Sequence, residues 1–388
     1  MNWLRDNIAK ILIILGVVVV VFVIIAIVSK PKQKEDIVSG TKYGELETKL
    51  QNAAVNYVEK HKKLLPTSTE NTSKITLSTL MSNNYIGKVV AVEDKKTKCS
   101  GYVEITKLSN EKNDYRYTPY LNCGEYYSTK TIGNYIIDKE TENGTFTRTA
   151  DAGLYQSGED YIFRGENPNN FIMLDQHLYR ILKIEGSGSL QLISTTKTGS
   201  SYVWDNRYNI DRKSMDNSDG INNFLKSRLH DTLVSLYNNT NSQAGEIYFS
   251  DTEKSYIIPH EYCIGKRSLN DSNIYSGTEC KETVELEVGL ISLNEYARVS
   301  VDANCKGIYD RSCANYNYLN TLYKKTSYVY TTLTASADNT YQYYRVYNNK
   351  VDLAKTNSSK QLYPVIYINN KTIYSSGTGT ATDPYIIR

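Results

Sequence analysis

Little in this chain is arranged for catalysis. It has four histidines, His61, His177, His230 and His260, and none falls in an H-E-x-x-H: His260-Glu261 is followed by Gly265 and Lys266, with no second histidine near. There is no C-x-x-C, which excludes zinc-ribbon and thioredoxin chemistry. No G-x-S-x-G, P-loop or G-x-G-x-x-G stands between a strand and a helix; Gly377-Thr378-Gly379 lies in a loop before a strand. A net charge of only +3 removes the electrostatic footprint of a nucleic-acid binder. Proline, phenylalanine and tryptophan are scarce, at 7, 6 and 2 residues, against 35 tyrosines. Tyrosine packs its ring and leaves its hydroxyl wet, which suits half-exposed β-faces and binding surfaces.

What is present begins with an apolar run. Ile11–Val28 carries no charge and no proline. Its residues at about 1.5 Å each reach about 27 Å, close to the hydrocarbon thickness of a bilayer. Ile27-Val28-Ser29 makes a poor signal-peptidase site, so the run reads as a single transmembrane anchor (11–28) after a cytoplasmic N-terminus (1–10) and before a linker (29–40). The flanks, Arg5 and Lys10 against Lys30, Lys32 and Lys34, leave the positive-inside rule close to a tie. Six cysteines, all in the polar part, point to an oxidising compartment and hence to a cell-membrane protein with an extracellular ectodomain. They are Cys99, Cys123, Cys263, Cys280, Cys305 and Cys313. Fifteen pairings are possible; nearest-neighbour pairing would close three local loops.

The ectodomain opens with a helix over Tyr43–Leu65, whose apolar positions Leu46, Leu50, Ala53, Ala54, Tyr57, Val58 and Leu64 recur at helical spacing before Pro66. A short helix is expected at Thr76–Met81, capped by Thr76 or Ser78. Strands follow at Gly101–Leu108, Tyr115–Leu121 and Tyr126–Thr131, the first two joined by a hairpin loop that sets Cys99 beside Cys123. The stretch 132–152 is polar and turn-rich and reads as a linker between a first domain, 41–131, and a second, 153–388. The second is expected to be β-rich, with strands at Tyr161–Gly165, Phe171–Leu174, Leu178–Ile184, Leu190–Ile193, Tyr328–Thr334, Tyr341–Tyr347, Leu362–Ile368 and Tyr385–Ile387. Its helices are Ile221–Tyr237, capped by Ser218 or Asp219, and Ser292–Val299.

Residues 40–130 resemble a type IV pilin-like or pseudopilin-like ectodomain of Gram-positive bacteria. The matching phrases are Ala53-Ala54-Val55-Asn56-Tyr57-Val58, Leu77-Ser78-Thr79-Leu80, Tyr85-Ile86, Cys99–Glu104 and Tyr117–Cys123. The prepilin Gly-Phe junction and the glutamate that follows it are missing from the apolar run. Residues 153–388 resemble an uncharacterised surface domain of Firmicutes through Gly153-Leu154-Tyr155, Phe163–Asn170, Tyr179–Ile184, Gly289–Tyr296, Tyr363–Ile368 and Gly377–Ile387. That domain is similar to the C-type-lectin-like fold shared with formylglycine-generating enzymes. The expected fold class is therefore α+β: an N-terminal transmembrane helix, a small pilin-like α+β domain and a larger β-rich C-type-lectin-like domain.

These resemblances imply a membrane-anchored binding protein, adhesin-like and non-catalytic, with a glycan or surface-protein ligand and no cofactor. Tyr155, Tyr202, Trp204, Tyr208, Tyr341, Tyr343 and Tyr344 are its candidate exposed aromatics. Calcium, frequent in lectin-like folds, has Asp211, Asp216 and Asp219 as its best local donors, but Arg212 and Lys213 intervene, so no metal is assigned. Glu166-Asn167-Pro168 and Trp204-Asp205-Asn206 are scrambled forms of lectin sugar-binding phrases. Two alternatives remain. One is an accessory pilin-like component of a secretion or competence filament. The other is an extracellular enzyme related to formylglycine-generating proteins, which would need Cys305 and Cys313 as an active pair rather than a structural disulfide.

Overall fold

The computed structural model describes residues 41–69, 71–108, 114–142, 152–207, 220–240, 247–321, 329–348 and 350–388. The chain divides into two compact units, Met1–Leu46 and Glu47–Arg388. The first is described only from residue 41, where helix α1 (Thr41–Lys60) begins.

Helix α1 buries the stripe Leu50, Ala53, Ala54, Tyr57 and Val58 and turns Glu59 and Lys60 to solvent. It stops at Lys60, short of the expected Leu65, and a 3-10 turn (Lys62–Leu64) leads to Pro66. Strand β1 (Thr72–Thr76) runs directly into helix α2 (Leu77–Ser82), whose N-cap Thr76 accepts the Thr79 N–H at 3.1 Å. Strands β2 (Ser100–Lys107) and β3 (Tyr115–Asn122) complete a three-stranded antiparallel sheet, β1-β2-β3, closed at its end by the Cys99–Cys123 disulfide. Tyr126–Thr131, expected as a strand, is a turn held by isolated bridges. The stretch read as turn-rich instead opens with helix α3 (Ile132–Glu142), which puts Ile132 and Ile136 into the main core.

From there the chain is mostly strand: β4 (Gly153–Ser157), β5 (Asp160–Arg164), β6 (Phe171–Leu174), β7 (His177–Ile184) and β8 (Leu190–Ser194). Helices α4 (Arg228–Tyr237) and α5 (Asp251–Lys254) precede β9 (Ile257–Ile258), β10 (His260–Cys263), β11 (Lys266–Arg267), β12 (Thr283–Leu286) and β13 (Val288–Gly289). Helices α6 (Leu293–Arg298) and α7 (Tyr318–Thr321) then lead to β14 (Val329–Ser336), β15 (Gln342–Tyr347), β16 (Lys350–Lys355), β17 (Val365–Ile368), β18 (Tyr374–Ser376) and β19 (Tyr385–Ile387). A ten-stranded sheet runs β13-β17-β8-β7-β6-β19-β18, with β5 against β7, β4 against β5 and β9 against β17. Strands β8 and β17 are buried at every position and form its centre. A four-stranded sheet, β11-β14-β15-β16, and the pair β10-β12 complete the architecture. Helix α4 covers the core with Leu229, Leu233 and Leu236 and is capped by Ser227, whose hydroxyl accepts the His230 N–H at 3.1 Å. The caps expected at Ser218 and Asp219 lie outside the described residues.

Polar contacts join the small sheet to the large one. Lys371 pairs with Glu104 at 2.7 Å, and the Arg116 guanidinium lies 4.3 Å from the Tyr256 ring centroid while donating to the Ser255 carbonyl. The buried Glu47 carboxylate pairs with Arg388 and accepts from the hydroxyls of Tyr127 (3.1 Å) and Thr129.

The expected fold class needs correction. The described chain is β-rich, and no helix among the described residues is long and apolar enough to cross a membrane. Its longest helix, α1, carries Glu45, Glu47, Lys49, Glu59 and Lys60, and such charges are costly in hydrocarbon. The run Ile11–Val28 that carried the transmembrane expectation, with flanks 1–10 and 29–40, lies outside the described residues.

Candidate functional site

A cleft of about 160 Å³ opens where β5, β7 and β8 meet β10 and helix α6. Local sequence explains its lining. In β5, Asp160, Ile162 and Arg164 share one face while Phe163 turns into the core. In β7 the register slips between Ile181 and Lys183, leaving Leu182 as an extra residue, so Leu182 and Lys183 both reach the cleft. Strand β10 brings His260 and Tyr262, and β17 brings Tyr367. The Cys263–Cys280 disulfide lies in its wall.

The polar groups are already ordered. His260 Nε2 lies 2.9 Å from a Glu185 oxygen, and Lys183 pairs with Glu185 at 2.9 Å and with Asp160 at 3.9 Å. The His260 ring stacks on Tyr367, centroids 3.6 Å apart and planes 5° from parallel, and Tyr262 meets Tyr367 edge-on. Tyr262 donates to the Val365 carbonyl at 2.8 Å. At the opposite wall Ser292 caps α6 in a capping box with Glu295. The Glu295 carboxylate accepts the Ser292 N–H at 2.7 Å and the Gln191 side-chain amide at 2.6 Å.

These contacts set the charges. Burial opposes ionisation of Glu185, but its hydrogen bonds and attraction to His260 and Lys183 outweigh that and draw its carboxyl down to about 2. Burial likewise opposes the imidazolium of His260, yet the Glu185 carboxylate raises its pKa above the usual histidine value. Burial, with nearby carboxylates adding to it, holds the Tyr262 and Tyr367 phenols well above theirs, so both stay neutral. The cleft is lined by the side chains of Asp160, Lys183, His260, Glu261 and Glu295 beside apolar walls from Ile162, Leu182 and Leu290, and Glu185 pairs with Lys183 and His260.

The residues expected from sequence fall elsewhere. Trp204, Tyr343 and Tyr344 are 1%, 1% and 0% exposed, which removes them as surface aromatics. The Trp204 indole stacks near Tyr343, centroids 5.9 Å apart, and donates to the Thr332 carbonyl at 3.2 Å. Strand β15 lies between β14 and β16, and alternate residues there meet packing on both faces. Tyr155 is buried beneath Arg164, whose guanidinium lies 5.0 Å from the ring centroid; Tyr202 is half-buried with its backbone bridged to Lys360; Tyr341 is exposed. Tyr208, and the calcium candidates Asp211, Asp216 and Asp219, lie outside the described residues. Among the described residues no cluster of three His, Cys, Asp or Glu side chains could hold a metal.

The lectin-like phrases serve the fold: Pro168 accepts from Arg180 at 3.1 Å, and Asp205 pairs with Arg207 at 2.8 Å, both buried. The six cysteines form three nearest-neighbour disulfides, Cys99–Cys123, Cys263–Cys280 and Cys305–Cys313. Sequence reasoning missed the cleft because its members lie far apart in the chain. The one local signal was Lys183 near the end of β7, with Glu185 just past it. Comparison of the chain with protein-family models, with curated proteins and with solved structures finds no match in any of the three.

Proposed function

We propose that this protein is an extracellular binding protein that holds a small hydroxyl-rich ligand, a single sugar ring or the end of a glycan, in the cleft lined by Lys183 and His260, the two partners of Glu185. The carrying observation is the fixed set of opposite charges in a small space with apolar walls. A sugar ring offers hydroxyls that both donate and accept, with C–H faces between them, and this lining answers both. The volume lies below the roughly 300 Å³ at which sites for drug-sized ligands begin, which favours one ring.

Recognition is favoured over proton-transfer chemistry by the charges themselves. A carboxyl drawn down to about 2 is a weak base near neutrality, and general bases work best with a pKa near the operating pH. The three disulfides fit an oxidising compartment, and the one in the cleft wall limits movement of β10.

The test is a titration of the full chain with mono- and oligosaccharides, followed through the ring signals of His260 and Tyr367. Saturable shifts are expected for at least one sugar, and Lys183→Gln should weaken binding about tenfold, the worth of one charge-assisted hydrogen bond. Sugars that bind without moving these signals, or that bind Lys183→Gln unchanged, would place recognition outside the cleft.

A further inference from the structure

The cleft continues past Ile162 to a patch with a different charge. Arg164 stands two residues on from the cleft-lining Ile162, on the same face of β5. Arg298, in the last turn of α6, lines the cleft itself. The two guanidinium groups are close enough that Arg298's charge acts on Arg164. Both are held by uncharged partners: Arg164 donates to the Ser300 carbonyl, at 3.2 Å from Nε, and Arg298 to the Ser157 hydroxyl. Among the described residues neither forms an ion pair with a carboxylate, whereas the buried Arg207 and Arg267 both do. Two neighbouring cations that make no ion pair with a carboxylate repel each other, and a bound anion relieves that repulsion.

The patch also carries an exposed tyrosine. Tyr275 is 68% exposed, with its ring centroid 5.9 Å from the Arg298 guanidinium. Its loop is pinned: the Asn294 side chain donates to the Ile274 carbonyl, and the Ile308 N–H donates to the Ser272 carbonyl at 2.6 Å. An exposed aromatic ring in a braced loop costs little further ordering when it receives a ligand.

We propose that the ligand of this cleft is an acidic sugar, a uronic acid, whose carboxylate sits against Arg164 and Arg298 and whose ring lies toward Tyr275. The inference rests on the sugar-binding reading of the cleft and adds the charge of its ligand. Guanidinium groups match carboxylates in geometry as well as charge, which makes the pair a selector rather than a general attractor.

The experiment compares D-galacturonate, its methyl ester and D-galactose on the full chain, by nuclear magnetic resonance titration at low and high salt. The ester removes the charge and keeps the ring, so the comparison needs no variant that could misfold. Galacturonate should bind about tenfold more tightly than the ester. That preference should shrink with salt and drop to within about twofold in Arg298→Gln, while Arg298→Lys retains part of it. Equal binding of acid and ester, with the His260 and Tyr367 signals moving, overturns the acidic-sugar assignment and leaves the cleft as a sugar site. No response to any of the three overturns this assignment and counts against the sugar reading as well; a response to other sugars alone removes only the uronic acid.

Discussion

Two ionic networks in this molecule use the same kinds of residue to opposite ends. Around Arg267 the central pair is fully buried: Arg267 and Glu279 are both 0% exposed, with the Asp271 carboxylate (27% exposed) at 3.3 Å on the rim, and Arg267 donates to the Glu279 carboxylate and to the Asp271 and Asn273 carbonyls at 3.0 and 3.1 Å. The other Glu279 oxygen accepts the Asn294 N–H at 3.0 Å, in the first turn of helix α6. Around Lys183 the burial is partial: Lys183, Glu185 and His260 remain 22%, 16% and 25% exposed. The closed network fixes the fold that places α6 along the cleft, and the open one keeps faces that a ligand can reach. Charge pairing alone says little about role; solvent access separates the two.

The sharpest way to break this comparison is to remove one partner of the closed network. Arg267→Ala leaves Glu279 as a buried charge with no counter-ion and should destabilise the protein by about 3–5 kcal/mol. Urea unfolding measures it. A loss under 1 kcal/mol would mean that water reaches Glu279, and the contrast with the cleft would collapse.

The open network should instead show itself through pH. Glu185 is drawn from its ordinary range to about 2, so its contribution to stability is present above about pH 4.5 and is lost as pH falls toward 2. His260 is raised, so its contribution is complete below about pH 6.5 and is lost as pH rises through its raised value. His177, raised by the buried Glu253 carboxylate at 2.9 Å, acts with the same sign as His260. Stability should therefore peak between about pH 4.5 and 6.5. With solvent screening, the cleft pair should supply about 1 kcal/mol of it. Unfolding midpoints across pH should show the acid limb flattened in Glu185→Gln; an unchanged acid limb would remove the pair as a contributor.

The same difference in access explains what could be read from the chain. Of the helix expected at Ile221–Tyr237 only the part from Arg228 is α4, legible because Leu229, Leu233 and Leu236 repeat at helical spacing, while Phe224–Lys226 is a separate 3-10 turn; β2 and β3 were legible because their apolar residues alternate between turn signals. The disulfide Cys99–Cys123 followed from the two ends of that hairpin. The facing of the tyrosines was not legible. Alternation marks the wet face of a strand only where one face is wet, and Tyr343 and Tyr344 are adjacent yet both buried. Helix α3 was hidden by polar residues such as Asn134 and Asp138 on its outer side. The cleft was least visible of all. Asp160 and Lys183 come together through the pairing of β5 with β7, and His260 and Arg298 join them by packing from a second sheet and a helix more than seventy residues on, which no local spacing encodes.

A smaller effect tests the reassignment of the aromatics from surface to core. Tyr344 donates to the Arg267 carbonyl at 3.2 Å and accepts from the Tyr309 hydroxyl at 3.1 Å, so its phenol braces the closed network. Tyr344→Phe keeps the ring and removes the hydroxyl, which should cost about 1 kcal/mol, the net worth of a typical hydrogen bond. Sugar titration of the same variant should match the wild type, because Tyr344 lies in the core and outside the cleft lining. A variant of full stability with weakened binding would reverse the assignment: Tyr344 would then belong to recognition, and the boundary between closed and open networks would have to be redrawn through β15.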